Sequence, residues 1–166
     1  MTNIAARELH RLPNWRDRFE AAVYAAMRRP FDERTWNCAH FAAAIVVALC
    51  GDEHAADLEQ LASSRELWEQ ARASPEAFAS LVTDALGTAS AIKNVGLANV
   101  GDLVLAQVGD ADLPVCFGVC MGAKIAVVAG GGLLLHPRLG IGTDKLRPPR
   151  RRRREGPFLL NAWRVG

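Results

Sequence analysis

The sequence has no uncharged run long enough to cross a lipid bilayer. Its longest apolar segment, 38–50, has about 13 residues, whereas a membrane-spanning helix needs roughly 20. The N-terminus also lacks the basic region and apolar stretch of a signal peptide. We therefore expect a protein without a membrane span, made in the cytoplasm, where its four cysteines stay reduced.

Closely spaced cysteine pairs are missing as well, which argues against a metal centre. No Cys-x-x-Cys occurs, although this spacing is typical of zinc and iron–sulfur sites. Cys38 and Cys50 would lie about 18 Å apart on one predicted helix. Cys116 and Cys120 would lie about 13 Å apart along one predicted strand. We predict no metal site and no cofactor.

Acidic and basic residues nearly balance, and the excess positive charge lies in one place. The net charge is +2, and it becomes −3 without a single run of five arginines. These are Arg150, Arg151, Arg152, Arg153 and Arg154. Flanking prolines and like-charge repulsion predict an exposed basic loop at 147–157. No aromatic residues interleave with the arginines, so nucleic-acid binding is not favoured. The alternatives are an acidic protein partner, a membrane surface or a solvated loop without a partner.

Hydrophobic periodicity predicts helices in the first half of the chain and strands in the second. The predicted helices cover 15–27, 38–50, 55–62, 64–71 and 75–86. The predicted strands cover 103–106, 115–121, 124–129, 133–136 and 159–165. This segregation is typical of an α+β fold, with N-terminal helices packed on a small antiparallel sheet, and we predict one domain over 1–166.

Cys38 stands at the start of the most apolar predicted helix. Asn37 before it is a good N-cap, and Gly51 is a good C-terminal stop. The partial positive charge of a helix's first turn favours the thiolate over the thiol, as a nucleophilic cysteine requires. The alternative is a small hydrophobic side chain packed at a helix end.

Short motifs in a fixed order resemble the NlpC-type papain-like cysteine peptidases, which cut bacterial cell-wall peptides. The motifs are Asn37-Cys38-Ala39-His40-Phe41, Gly101-Asp102-Leu103-Val104 and Cys116-Phe117-Gly118-Val119-Cys120-Met121-Gly122. Over roughly 11–166 the chain is most similar to a branch of that superfamily encoded in phage and prophage tail-gene clusters. This second resemblance is carried by Leu12-Pro13-Asn14-Trp15, Pro30-Phe31 and Ala162-Trp163-Arg164-Val165.

The resemblance also shows where the chain departs from its relatives. It implies Cys38 as the nucleophile, but Cys116 occupies the position of the family's catalytic His. The next strand carries the family's third polar residue, and here it offers only Ala126-Val127-Val128. A thiol needs a base or an imidazolium partner to be an efficient nucleophile. His136, at the end of a predicted strand, is the one substitute base that we consider.

The other histidines are less suitable partners for Cys38. His40 is two residues past Cys38 on the same predicted helix and should point to a different face. His10 and His54 lie among polar residues, so we predict surface positions for both.

Three functions remain open. The first, which we favour because the expected catalytic site lacks its base, is a non-catalytic structural component of a phage tail tip or baseplate. It would be made in the bacterial host cytoplasm and incorporated into the virion tail, and its partners would be other tail proteins. The second is an active peptidoglycan peptidase with Cys38 as nucleophile. The third is a module that binds an anionic ligand through the arginine run. A fold alone does not decide among them.

Overall fold

Five α-helices precede five β-strands in the computed structural model, which describes residues 9–107, 115–137 and 158–166. The helices are α1 (Trp15–Arg28), α2 (Cys38–Cys50), α3 (Ala55–Ala62), α4 (Arg65–Ala73) and α5 (Pro75–Leu86). The strands are β1 (Leu103–Gln107), β2 (Cys116–Cys120), β3 (Lys124–Ala129), β4 (Gly132–Pro137) and β5 (Phe158–Trp163). The predicted α+β single domain, with helices packed on an antiparallel sheet, is confirmed. The predicted basic loop at 147–157 lies outside the described residues.

Local signals in the sequence explain where the helices begin and end. The side-chain oxygens of Asn37, Ser64 and Ser74 each accept backbone N–H groups in the first turn of the helix that follows. Gly51 and Gly87 end α2 and α5 with φ values of 127° and 89°, which favour glycine. No helix among the described residues is long and apolar enough to cross a membrane.

The sheet has the order β4-β3-β2-β1-β5, and every pair of neighbours is antiparallel. Strands β1 to β4 follow one another across the sheet, and β5 returns to pair with β1. Strand β2 is therefore central, and all five of its residues are buried. Its side chains alternate between the two faces, which places Cys116, Gly118 and Cys120 on one face.

Helix α2 forms the centre of the helical layer. Eleven of its 13 residues are buried, and it packs against α1, α3, β2 and β3. This confirms the predicted buried helix between Asn37 and Gly51. The first residue of α2 is thereby held against the central strands of the sheet.

A buried carboxylate ties both ends of the described chain to the start of β1. Asp102 is fully buried and accepts from the Arg11 guanidinium at 3.1 Å. It also accepts from the backbone N–H of Asn99 at 2.8 Å and of Val165 at 3.2 Å. Arg164 approaches its second oxygen at 3.5 Å. The Gly-Asp motif that precedes β1 thus has a structural function in this chain.

Candidate functional site

Two thiols meet where α2 packs on β2. Cys38 is the first residue of α2, Cys116 is the first residue of β2, and their side chains are hydrogen-bonded to each other. Both are nearly buried, with 4% and 5% of their surfaces exposed. The structure thus brings together the two positions at which the resemblance implies the nucleophile and its catalytic His.

The environment of Cys38 favours its thiolate. The pKa of this thiol lies below its ordinary value of 9.0, chiefly because the Cys116 thiol hydrogen-bonds to its sulfur. Burial opposes the shift, while the backbone N–H groups of Phe117, Ala39 and Cys38 itself add to it. The helix N-terminus therefore lowers the pKa of Cys38 as expected, but the side chain of Cys116, from the sheet, lowers it more.

The Cys116 thiol has two further contacts that compete for its single proton. Its sulfur lies 3.4 Å from the carbonyl oxygen of Phe117 and 3.9 Å from that of Val128. One S–H can donate fully to one acceptor at a time, and a thiolate is a stronger acceptor than a carbonyl. Ionisation of Cys38 should therefore draw the Cys116 proton toward the Cys38 sulfur.

Asn37 holds the first turn of α2 in place beside the two thiols. Its side-chain oxygen accepts from the backbone N–H of Ala39 at 3.0 Å and of His40 at 3.2 Å. Its amide nitrogen donates to the Glu33 carbonyl at 2.8 Å. The buried side chain therefore fixes the helix end and the preceding loop together, which sets the position of Cys38.

His40 is buried on α2, but its ring has other partners. Its Nδ1 lies 2.9 Å from the Asn37 side-chain oxygen. Its Nε2 lies 3.3 Å from Ser63 Oγ, just after α3, and 3.5 Å from Glu59 Oε1 within α3. Both ring nitrogens are thus directed to groups other than Cys38.

His136 lies on the edge strand β4, away from the two thiols. It pairs with Ile125 of β3, which in turn pairs with Cys120 of β2. Cys120 is about 13 Å along β2 from Cys116, and β4 is two strands, or roughly 10 Å, from β2. The sheet register therefore does not bring His136 to the thiol pair.

The remaining described histidines also lie elsewhere. His10 is exposed, as predicted. His54 is buried, so the surface position predicted for it was wrong. It lies in the short turn Asp52–His54, which packs against α2 and directs this side chain inward despite its polar neighbours. Its Nδ1 has no hydrogen-bond partner among the residues that the structure describes, and its Nε2 lies 3.9 Å from Glu53 Oε1.

The surroundings of the thiol pair are apolar. Ala126, Val127 and Val128 of β3 are all buried. A small, partly open apolar pocket nearby is lined by Ala39 and Phe117, the sequence neighbours of the two cysteines, and by side chains of α2 to α5. Among the described residues, no group of three or more His, Cys, Asp or Glu side chains is arranged to hold a metal ion. The five arginines lie outside the part of the chain that the structure describes.

Comparison with known proteins identifies one family. The family model of DUF6950, a domain of unknown function, matches residues 10–143. No curated protein and no solved structure gives a significant match. The matched segment includes α1 to α5 and both members of the thiol pair. Because the match covers most of the sequence, the chain belongs to the DUF6950 family.

Proposed function

We propose that this chain is a non-catalytic structural module with an NlpC-type papain-like fold, and that it forms part of a phage tail tip or baseplate. The main support for the non-catalytic assignment is the hydrogen bond between Cys38 and Cys116, because it places a second thiol where a peptidase needs a base. The papain-like and phage-tail assignments are supported by the resemblance in motif order. Other tail proteins are the proposed partners.

The chemistry of peptide cleavage explains why the thiol pair favours this proposal. A cysteine peptidase needs a group that takes the proton of its nucleophile and later donates it to the leaving amine. Imidazole does both near neutral pH, because its pKa lies close to that range. A thiol titrates about two units higher, so Cys116 can hydrogen-bond to Cys38 but is a poor proton carrier.

The positions of the motif residues support a papain-like scaffold. The resemblance implies that a buried helix begins with the nucleophile and packs against the strand whose first residue faces it. Cys38 and Cys116 have this relationship. Asn37 caps the helix, and Asp102 anchors both ends of the described chain, so these motif residues have structural functions without any catalytic role.

An active peptidoglycan peptidase is the second candidate, and one observation favours it. The lowered pKa of Cys38 makes its thiolate more available at neutral pH than that of an ordinary cysteine. This candidate still lacks a base among the described histidines.

Binding of an anionic ligand through the arginine run remains a prediction. Replacing these five arginines with serine tests it, because incorporation into particles should weaken with little change in melting temperature.

Peptide release from purified peptidoglycan separates the first two functions. The wild type, Cys38→Ala and the matched control Cys50→Ala would be incubated with cell-wall sacculi. We expect no release that depends on Cys38, together with normal particle assembly by the Cys38→Ala variant. Release by the wild type and Cys50→Ala but not by Cys38→Ala would establish the peptidase and overturn the structural proposal.

A further inference from the structure

Cys38 and Cys116 are reduced thiols in mutual contact, and they belong to different layers of the fold. One begins the central helix, and the other begins the central strand of the sheet. A covalent bond between them would tie the helical layer to the sheet. The proposed structural function uses neither sulfur, so the reason for placing two thiols together remains to be explained.

We propose that Cys38 and Cys116 form a reversible disulfide when the protein meets a hydroperoxide, and that this bond locks α2 onto β2. The inference concerns the thiol pair itself and does not depend on the phage-tail assignment.

The chemistry takes two balanced steps. The Cys38 thiolate attacks one peroxide oxygen, the O–O bond breaks, and a sulfenic acid forms while the other oxygen leaves as hydroxide and takes up a proton to become water. The Cys38 sulfur is oxidised by two electrons, and the peroxide is reduced. The Cys116 sulfur then attacks the Cys38 sulfur, the S–O bond breaks, and the hydroxide leaves with the Cys116 proton as a second water.

The surroundings favour Cys38 as the first thiol to react. Its pKa is lowered, whereas burial raises the pKa of Cys50 to about 11 and keeps that thiol protonated. Cys120 is fully buried, with its sulfur 3.5 Å from the Ala98 carbonyl oxygen. Cys38 and Cys116 are 4% and 5% exposed, so we expect only a small oxidant to reach them, and slowly. Because Cys116 is already in contact, it should resolve the sulfenic acid before a second peroxide arrives.

Mass spectrometry of the full-length protein, treated with hydrogen peroxide under native conditions, tests the proposal. We expect the intact mass to fall by two hydrogens and a linked peptide to contain Cys38 and Cys116, with dithiothreitol reversing both changes. Overoxidation of Cys38 to a sulfinic acid in the wild type, or no change at Cys38, would overturn the proposal.

Two variants sharpen the result. Cys116→Ser should leave a sulfenic acid on Cys38 that dimedone traps, because the resolving thiol is gone. Cys120→Ser, on the same strand and face, should form the disulfide as the wild type does. Retention of the two-hydrogen loss in Cys116→Ser, or a linkage that uses Cys120 or Cys50, would show that another pair reacts. If a variant folds poorly, the peptide mapping of the wild type still tests whether Cys38 and Cys116 form the disulfide.

Discussion

The Cys116 thiol hydrogen-bonds the sulfur of Cys38 across the junction of α2 and β2. The resemblance to papain-like peptidases implies an imidazole where Cys116 stands. A thiol there keeps a hydrogen bond to the sulfur and lowers the pKa of Cys38. It does not supply a base that works near neutral pH. The pair therefore favours a thiolate without completing a catalytic site, and this is the physical basis of the structural proposal.

The cap of α2 should contribute measurably to stability. Asn37→Ala removes the oxygen that accepts two backbone N–H groups and the amide that donates to Glu33. We expect the free energy of unfolding in urea to fall by about 1–2 kcal/mol. Asn37→Ser, which keeps a capping oxygen, should lose less. Equal stability of the alanine variant and the wild type would contradict the importance of this cap.

The buried carboxylate of Asp102 should matter far more than an exposed ion pair. Asp102→Ala leaves the Arg11 guanidinium and the Val165 N–H without their acceptor. We expect a loss of about 3–5 kcal/mol in denaturant unfolding, as for other broken buried pairs. The matched control is Arg65→Ala, which breaks the exposed pair with Glu69 and should cost less than about 0.5 kcal/mol. Similar losses in both variants would contradict this role of Asp102.

Gly118 in β2 should tolerate no side chain. A Cβ at this position would lie 2.5 Å from Ile125 Cγ2 and 3.1 Å from Val104 Cγ2. Gly118→Ala should therefore destabilise the protein by about 1–3 kcal/mol through overpacking. Gly130→Ala is the control, because a Cβ there meets nothing within 4 Å. Thermal unfolding of both variants checks the prediction, which fails if Gly118→Ala melts like the wild type.

Cys50 should make the protein less stable in alkali. Burial raises the pKa of its thiol from 9.0 to about 11 in the folded state. The folded state thus holds this proton more tightly, so the contribution to stability is complete below pH 9.0 and declines as the pH rises through about 11. Denaturant unfolding across this range should show a smaller alkaline decline in Cys50→Ala. An equally steep decline in that variant would assign the effect to other groups.

Local signals explain why most elements could be predicted from the sequence. Helix α2 begins and ends as predicted because Asn37 and Gly51 mark its two ends. The last strand was predicted to reach residue 165 but ends at Trp163. After Trp163 the backbone leaves the sheet, since the N–H of Arg164 donates to Ser90 and that of Val165 donates to Asp102. Such partners are distant in sequence and leave no periodic signal.

The candidate site was harder to predict for the same reason. The resemblance assigned Cys38 and Cys116 to the positions of the nucleophile and its base, but the hydrogen bond between the two thiols depends on how α2 packs on β2. His54 was misjudged because neighbouring polar residues do not determine which side of a short turn faces the core. The separation of His136 from the thiols follows from the sheet order, which periodicity does not give.

Titration of the Cys38 thiol tests the central claim most directly. The ultraviolet absorbance of thiolate is followed against pH in the wild type, Cys116→Ala, Cys38→Ser and the double variant with both substitutions. The Cys38→Ser curve is subtracted from the wild-type curve, and the double-variant curve is subtracted from the Cys116→Ala curve, so that each difference reports Cys38 alone. We predict one ionisation of Cys38 below pH 9.0, moved to higher pH in Cys116→Ala because the hydrogen bond is lost while burial remains. A thiolate that persists well below neutral pH and is insensitive to Cys116→Ala would instead indicate an imidazolium partner, and would contradict the account.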